Sequence, residues 1–341
     1  MSARIPAAGA AHPAHESAAP VPFYPLRGAH NPHVQTLLPR LLRRQPQFTP
    51  ITQTLETPDG DFLELAWTES PLTAKHKPRV VLFHGLEGNF HSPYAHGLLQ
   101  AIRDAGWLGL LMHFRGCGSE PNRLARAYHS GDTADARFVL QWLQHNLGTQ
   151  KTAAIGISLG GNMLARYLAE YGADSLLQAA VTVSAPFALE PCSRRLEQGF
   201  SRIYHHYLLG KLKSSLLRKM AQRRVDLPLS HSEIRQLRRL RDFDHQLTAP
   251  LHGFHSAEDY YQRCSALPVL MHITIPTLML HAKDDPFMTA AVIPPRDSLP
   301  ANIEYQLTEH GGHVGFVGGT WQQPQMWLEL RIPQWLRPHL E

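Results

Sequence analysis

The chain has 341 residues, 43% of them hydrophobic and 18% charged, enough apolar matter for a sizeable core. That balance excludes a fibrous or wholly disordered protein. Lys and Arg number 33 against 28 acids, a formal net charge of +5, which points to nucleic acid or an anionic membrane until the charge is located.

Residues 1–22, rich in Ala and Pro, read as a disordered tail, because Pro, His and Glu break any apolar run a signal peptide would need. No apolar stretch approaches the roughly 18 residues of a membrane helix. Cys117, Cys192 and Cys264 are widely spaced with no C-x-x-C pair, which favours a reducing compartment and a cytoplasmic location.

From residue 51 onwards strand-like and helix-like segments alternate. Residues 51–56 and 62–67 are short β-type runs around Pro58-Asp59-Gly60-Asp61, a hairpin turn. Apolar strands are expected over 79–84, 108–114, 152–157, 179–184, 277–281 and 303–308. Helices are expected over 94–105 and 132–147, with a last one over 322–336 that Pro333 must kink or interrupt. The alternation predicts an α/β fold with a mostly parallel sheet covered on both faces.

One stretch departs from it. Residues 190–268 show no convincing strand, and Ile203, Tyr207, Leu208 and Leu212 recur at helical spacing, as do Ile234, Leu237 and Leu240. This predicts a helical insertion dividing a core of residues 23–189 and 269–341. Residues 190–250 carry 13 Lys or Arg and 6 acids, a net +7, so the rest of the chain is slightly acidic. The positive charge belongs to the insertion.

Gly156-Ile-Ser158-Leu-Gly160 matches G-x-S-x-G, directly after an apolar strand and directly before a helix with Met163, Leu164, Tyr167 and Leu168. A nucleophile elbow needs that order, because the strained Ser turn requires small neighbours and the helix N-terminus favours a developing oxyanion. Ser158 is therefore the candidate nucleophile. A serine nucleophile needs a base, and the base an orienting acid, in the order Ser, acid, His for this kind of fold. Asp285, just before Pro286, is the candidate acid with Asp284 as alternative. His313, in a Gly-flanked loop, is the candidate base with His310 as alternative. The N–H groups of Leu159 and of Leu86, in His84-Gly-Leu-Glu-Gly88, are the candidate oxyanion donors. His84 is expected to hold its loop by hydrogen bonds.

Together these segments resemble the α/β-hydrolase superfamily, and more narrowly the bacterial YheT-type hydrolases of AB hydrolase family four. The resemblance rests on His33-Val-Gln-Thr36, Leu37-Leu-Pro-Arg40, Phe83-His-Gly-Leu-Glu-Gly88, Phe114-Arg-Gly-Cys117, Gly156-Ile-Ser-Leu-Gly-Gly-Asn162, His281-Ala-Lys-Asp-Asp-Pro286 and His310-Gly-Gly-His-Val-Gly-Phe316. It implies an α/β-hydrolase fold with a helical cap, a Ser158, Asp285, His313 charge-relay set and esterase-type activity.

Competing chemistries lack their signatures. There is no H-E-x-x-H, no Cys/His cluster at zinc spacing and no G-x-x-x-x-G-K-[ST], and Gly116-Cys-Gly118 lacks the third Gly of a dinucleotide fingerprint. No metal or organic cofactor is expected, and nucleic acid is not, since no reading motif accompanies the charge. The expected substrate is a small-molecule or lipid ester, with a weak contact between the basic cap and an anionic membrane surface. Acyl transfer from Ser158 to an alcohol is the alternative reaction. A lipid-surface binding protein without catalysis is the alternative class.

Overall fold

The computed structural model describes residues 21–341 apart from Arg44, so the tail expected over 1–22 lies almost wholly outside the described residues. A helix α1 (Pro32–Leu42) precedes strands β1 (Ile51–Glu56) and β2 (Phe62–Trp67). Then come β3 (Arg79–Phe83), α2 (Pro93–Asp104), β4 (Leu108–His113), α3 (Ala134–Leu147), β5 (Thr152–Ile157), α4 (Leu159–Tyr171) and β6 (Ala179–Val183). After a helical segment the chain returns to β7 (Thr277–Ala282) and β8 (Ile303–Thr308). It closes with a small hairpin, β9 (Val317–Gly319) and β10 (Pro324–Met326), and helix α11 (Trp327–Leu340).

The described residues form one eight-stranded sheet in the order β1-β2-β4-β3-β5-β6-β7-β8. β1, β2 and β4 pair antiparallel, and every pair from β4 to β8 is parallel. β3, β5, β6 and β7 are buried along their whole length, which is why they read as continuous apolar runs rather than alternating ones. Their two faces still sort by the two-residue period: Val81 and Phe83 enter one core layer, Val80 and Leu82 the other. This is the α/β-hydrolase fold. Parallel strands end on the same side, so the loops after β3, β5, β7 and β8 meet at one edge, where such sheets hold their sites.

Three expectations shift. The helix expected from residue 94 begins at Pro93, whose missing N–H costs nothing at a first helical position. The last helix begins at Trp327 because residues 317–326 are taken by the β9–β10 hairpin, and it runs past Pro333 to Leu340. α1 was not among the expected elements. Asn31 caps it, its side chain accepting from the His33 and Val34 N–H groups, and Pro32 opens it.

The segment between β6 and β7 is helical: α5 (Leu189–Leu196), α6 (Arg202–Gln222), α7 (His231–Gln236), α8 (Leu240–Phe243), α9 (Ala249–Leu251) and α10 (Ala257–Cys264). A π-helical turn, Asp244–Thr248, joins α8 to α9. Leu196, Tyr204, Leu209, Leu216, Ile234 and Leu247 give it a core of its own. Ile203 and Tyr207, which recur at helical spacing with Leu208 and Leu212, are 57% and 43% exposed. α6 is apolar on two sides, and spacing alone does not say which side is covered. No described helix is long and apolar enough to cross a membrane.

Candidate active site

β5 ends at Ile157 and α4 begins at Leu159, leaving Ser158 alone in the turn with φ +52° and ψ −118°. That left-handed φ is rare for a residue with a Cβ and is held only because its neighbours yield space. A Cβ on Gly160 would lie 2.5 Å from the carbonyl oxygens of Phe83 and His84, and one on Gly156 would run into the Gly160 carbonyl. The two glycines therefore let β5, α4 and the end of β3 close on one another.

His313 Nε2 accepts the Ser158 hydroxyl at 3.0 Å, and His313 Nδ1 donates to Asp285 Oδ2 at 2.9 Å. Asp285 is buried, and its Oδ1 accepts the Phe287 N–H at 2.8 Å. The Phe287 ring lies flat on the imidazole, centroids 3.9 Å apart at 4°. The alternative residues pair with each other instead. Asp284 accepts the Gly312 N–H at 2.9 Å through Oδ1 and stands 3.3 Å from His310 Nδ1 through Oδ2, so this second couple pins the loop that carries His313. Neither Asp284 nor His310 hydrogen-bonds Ser158 or His313.

Several contacts that fix His313 come from residues outside the expected set. Thr36 on α1 accepts the His313 N–H at 2.9 Å, and Ser184 accepts the Val314 N–H at 3.1 Å. Gln35, fully buried, spans Ala29 and Val317. Gly312, at φ +57°, brings the loop so near α1 that a Cβ there would meet Pro32 O at 2.5 Å and Thr36 Oγ1 at 2.7 Å. The only sequence signal for these partners was the His33-Val-Gln-Thr36 motif, which carries no chemistry by itself.

The loop after β3 is held as tightly. His84 is wholly buried, and its Nε2 accepts the Phe114 N–H at 3.0 Å, so the proton sits on Nδ1 and goes to Gly85 O at 2.7 Å. Burial, with His113 nearby, pushes its pKa down to about 3, which keeps the ring neutral. The Gly85 N–H donates to the Tyr94 hydroxyl at 2.9 Å and the Glu87 N–H to the Tyr128 hydroxyl at 2.8 Å. Between them the Leu86 N–H has no acceptor among the described residues. Leu159, the first residue of α4, likewise has no intrahelical acceptor for its N–H. Leu86 and Leu159 line the same cavity of about 740 Å³ as Ser158 and His313.

A model of the alpha/beta hydrolase fold matches residues 78–320. The chain belongs to the α/β-hydrolase family. A protein of Escherichia coli (strain K12) named "Putative esterase YheT" is 58% identical over 328 residues, 96% of each chain. Phospholipase ABHD3 of Homo sapiens is 26% identical across 94% of this chain and 79% of its own. Among solved structures, the Pyrococcus furiosus esterase Pf2001 superposes with a TM-score of 0.56 at 16% identity, covering 86% of this chain and 94% of that one.

Much of the cavity wall in this α/β hydrolase comes from the helical segment, with Leu196, Tyr204, Leu208, Leu216 and Leu247 apolar and Asp244 a half-buried acid. Burial raises the Asp244 pKa to about 6, and both its oxygens accept hydroxyls, from Thr248 and Tyr261. The segment is tied to the loop after β3, since Ser215 on α6 donates to Glu87 Oε2. Lys219 ties it to the loop after β4 through Asn122 Oδ1 at 2.8 Å.

Among the described residues one group has the spacing of a metal site, His129, Asp132 and His252. Two of its three members are already engaged. Arg126 grips both oxygens of Asp132 at 2.8 and 2.9 Å, and His129 Nδ1 accepts the Gly131 N–H. Burial, with Arg126, Arg166 and Arg263 nearby, lowers the His129 pKa to about 3, and the same positive field opposes a bound cation. Cys117, Cys192 and Cys264 are buried and unpaired.

Proposed function

We propose that the chain is a serine ester hydrolase working through an acyl-enzyme on Ser158. The observation that carries this is the single hydrogen-bonded line Ser158 Oγ, His313, Asp285, at 3.0 and 2.9 Å. His313 takes the Ser158 proton as Oγ attacks the ester carbonyl, and buried Asp285 holds the ring in the Nδ1–H tautomer and offsets its positive charge. The Leu86 and Leu159 N–H groups have no acceptor among the described residues and are suited to the oxyanion. His313 then protonates the leaving alcohol. A water activated by the same ring releases the acid.

Residues 190–268 act as a cap over this centre, and their leucines make the cavity suited to an acyl chain. A lipid-like ester is therefore the substrate class we favour, in keeping with the names of the phospholipase and esterase relatives. The three buried, unpaired cysteines suit a reducing compartment and hence a cytoplasmic location.

The test is Ser158→Ala with two readouts, turnover of a short-chain p-nitrophenyl ester and labelling by a fluorophosphonate probe. Both are expected to vanish. Labelling of the variant at the rate of the unaltered protein would overturn the assignment.

A further inference from the structure

Two exposed apolar stripes lie side by side on this molecule. On α1, Val34, Leu37 and Leu41 are 39%, 41% and 61% exposed, at the i, i+3, i+7 spacing of one helical face. On the turn into α6 and its first half, Phe200, Ile203 and Tyr207 repeat that spacing at 49%, 57% and 43%. The stripes are stitched together. The His33 and Phe200 rings are 4.2 Å apart, His33 Nδ1 meets the Tyr204 hydroxyl at 3.1 Å, and Arg40 donates to the Tyr207 hydroxyl at 2.8 Å. Apolar residues gathered like this on a surface call for a partner, whereas scattered ones do not.

The charge around the stripes has one sign. Residues 17–55 and 199–225 contain no Asp or Glu. Arg40, Arg202 and Lys211 stand exposed at the patch, and none has an acidic partner among the described residues. Four arginines elsewhere in the helical segment are paired with acids: Arg194 with Glu190, Arg239 with Asp242, Arg241 with Glu190 and Glu258, and Arg223 with Glu120. Leu37, Arg40, Tyr207 and Lys211 also line the cavity that holds Ser158, so the patch borders its mouth.

We propose that α1 and the first half of α6 form one docking face for an anionic phospholipid bilayer, which brings the cavity mouth to the lipid surface. The apolar stripes enter the boundary between headgroups and acyl chains, and Arg40, Arg202 and Lys211 meet the phosphates. The overall charge of the cap is a poor guide to this face. Half of the face is α1, outside the cap, and Arg194, Arg223, Arg239 and Arg241 of the cap are paired with acids within the fold. The proposal rests on the ester-hydrolase reading only for its purpose, since binding is read without turnover.

The experiment is flotation of the full chain carrying Ser158→Ala with two vesicle types. One is phosphatidylcholine alone, the other about three parts phosphatidylcholine to one part phosphatidylglycerol. Binding to the second is expected, falling about tenfold or more when Leu41→Glu and Ile203→Glu are added and unchanged by Leu72→Glu on the β2–β3 loop. Neither Leu41 nor Ile203 lines the cavity. The same pair of substitutions in the Ser158 protein is expected to leave hydrolysis of a soluble short-chain ester intact, which also shows that the variant folds. Failure to bind the anionic vesicles, equal binding to both vesicle types, or undiminished binding of the double variant would overturn the proposal. So would a dimer, seen by light scattering, that the same two substitutions dissociate. Loss of soluble-ester hydrolysis in Ser158→Ala speaks only to the catalytic reading.

Discussion

Thr36 accepts the backbone N–H of His313 at 2.9 Å while its own hydroxyl proton goes to the Pro32 carbonyl at 2.7 Å. The hydroxyl is thereby fixed as an acceptor, and an N-terminal helix sets the position of His313, the proposed base, near the other end of the chain. Thr36→Val keeps the shape and removes the acceptor. A drop in kcat of about tenfold is expected, with the unfolding temperature little changed, because a displaced base is costly even when the fold survives. Steady-state kinetics on a soluble ester beside a thermal melt separates the two effects.

The neighbouring carboxylates divide the work unequally. Asp285→Asn would offer its amide where His313 Nδ1–H now finds an oxygen and would favour the wrong tautomer. A kcat loss on the order of 10⁴-fold is expected. Asp284→Asn touches only the Gly312 N–H and His310, so its loss should stay within about tenfold. Comparable losses in the two variants would contradict this division.

How much of this could be read beforehand depended on the distance over which each constraint acts. Ser158 was legible because Gly156, Gly160, the strand and the helix that demand it lie within a few residues. Asp285 was favoured over Asp284 by its place just before Pro286, while the contacts that distinguish the two, with Phe287 and with Gly312 and His310, are set by the path of the chain. Thr36 had only its place in the His33-Val-Gln-Thr36 motif, and Tyr94 and Tyr128 left no signal, because each meets the loops around Ser158 across a gap in sequence. Periodicity put Ile203 and Tyr207 on a helix without saying which of its faces is buried. A helix with apolar residues on two sides satisfies the same count whichever side is covered.

The tyrosine hydroxyls of the loop after β3 allow a more local test. Tyr94→Phe removes the acceptor of the Gly85 N–H, and Tyr128→Phe that of the Glu87 N–H. An unmade hydrogen bond to a buried N–H costs about 1–3 kcal/mol. The Leu86 N–H between them also loses its fixed direction. Both variants are expected to lose kcat more than they raise KM, as befits a contact made in the transition state. A pure rise in KM would show that the loop binds substrate without serving the oxyanion.

Acid should weaken the fold. Burial holds the pKa of His84 and His129 down to about 3 and that of His96 and His252 down to about 4. The unfolded chain, with histidines near 6.5, therefore takes up protons that the folded chain refuses. Stability from these four rings is complete above about pH 6.5 and is lost as pH falls towards 4 and then 3. Two half-buried acids act in the opposite sense, Glu329 raised to about 7 and Asp244 to about 6, since the folded chain holds their protons more tightly. Four rings outweigh two carboxyls, so the urea midpoint should fall between pH 6.5 and 4. Removing one of the opposing acids by Glu329→Gln should steepen that fall. A midpoint that holds steady or rises towards pH 4 would mean that the rings are protonated in the folded chain.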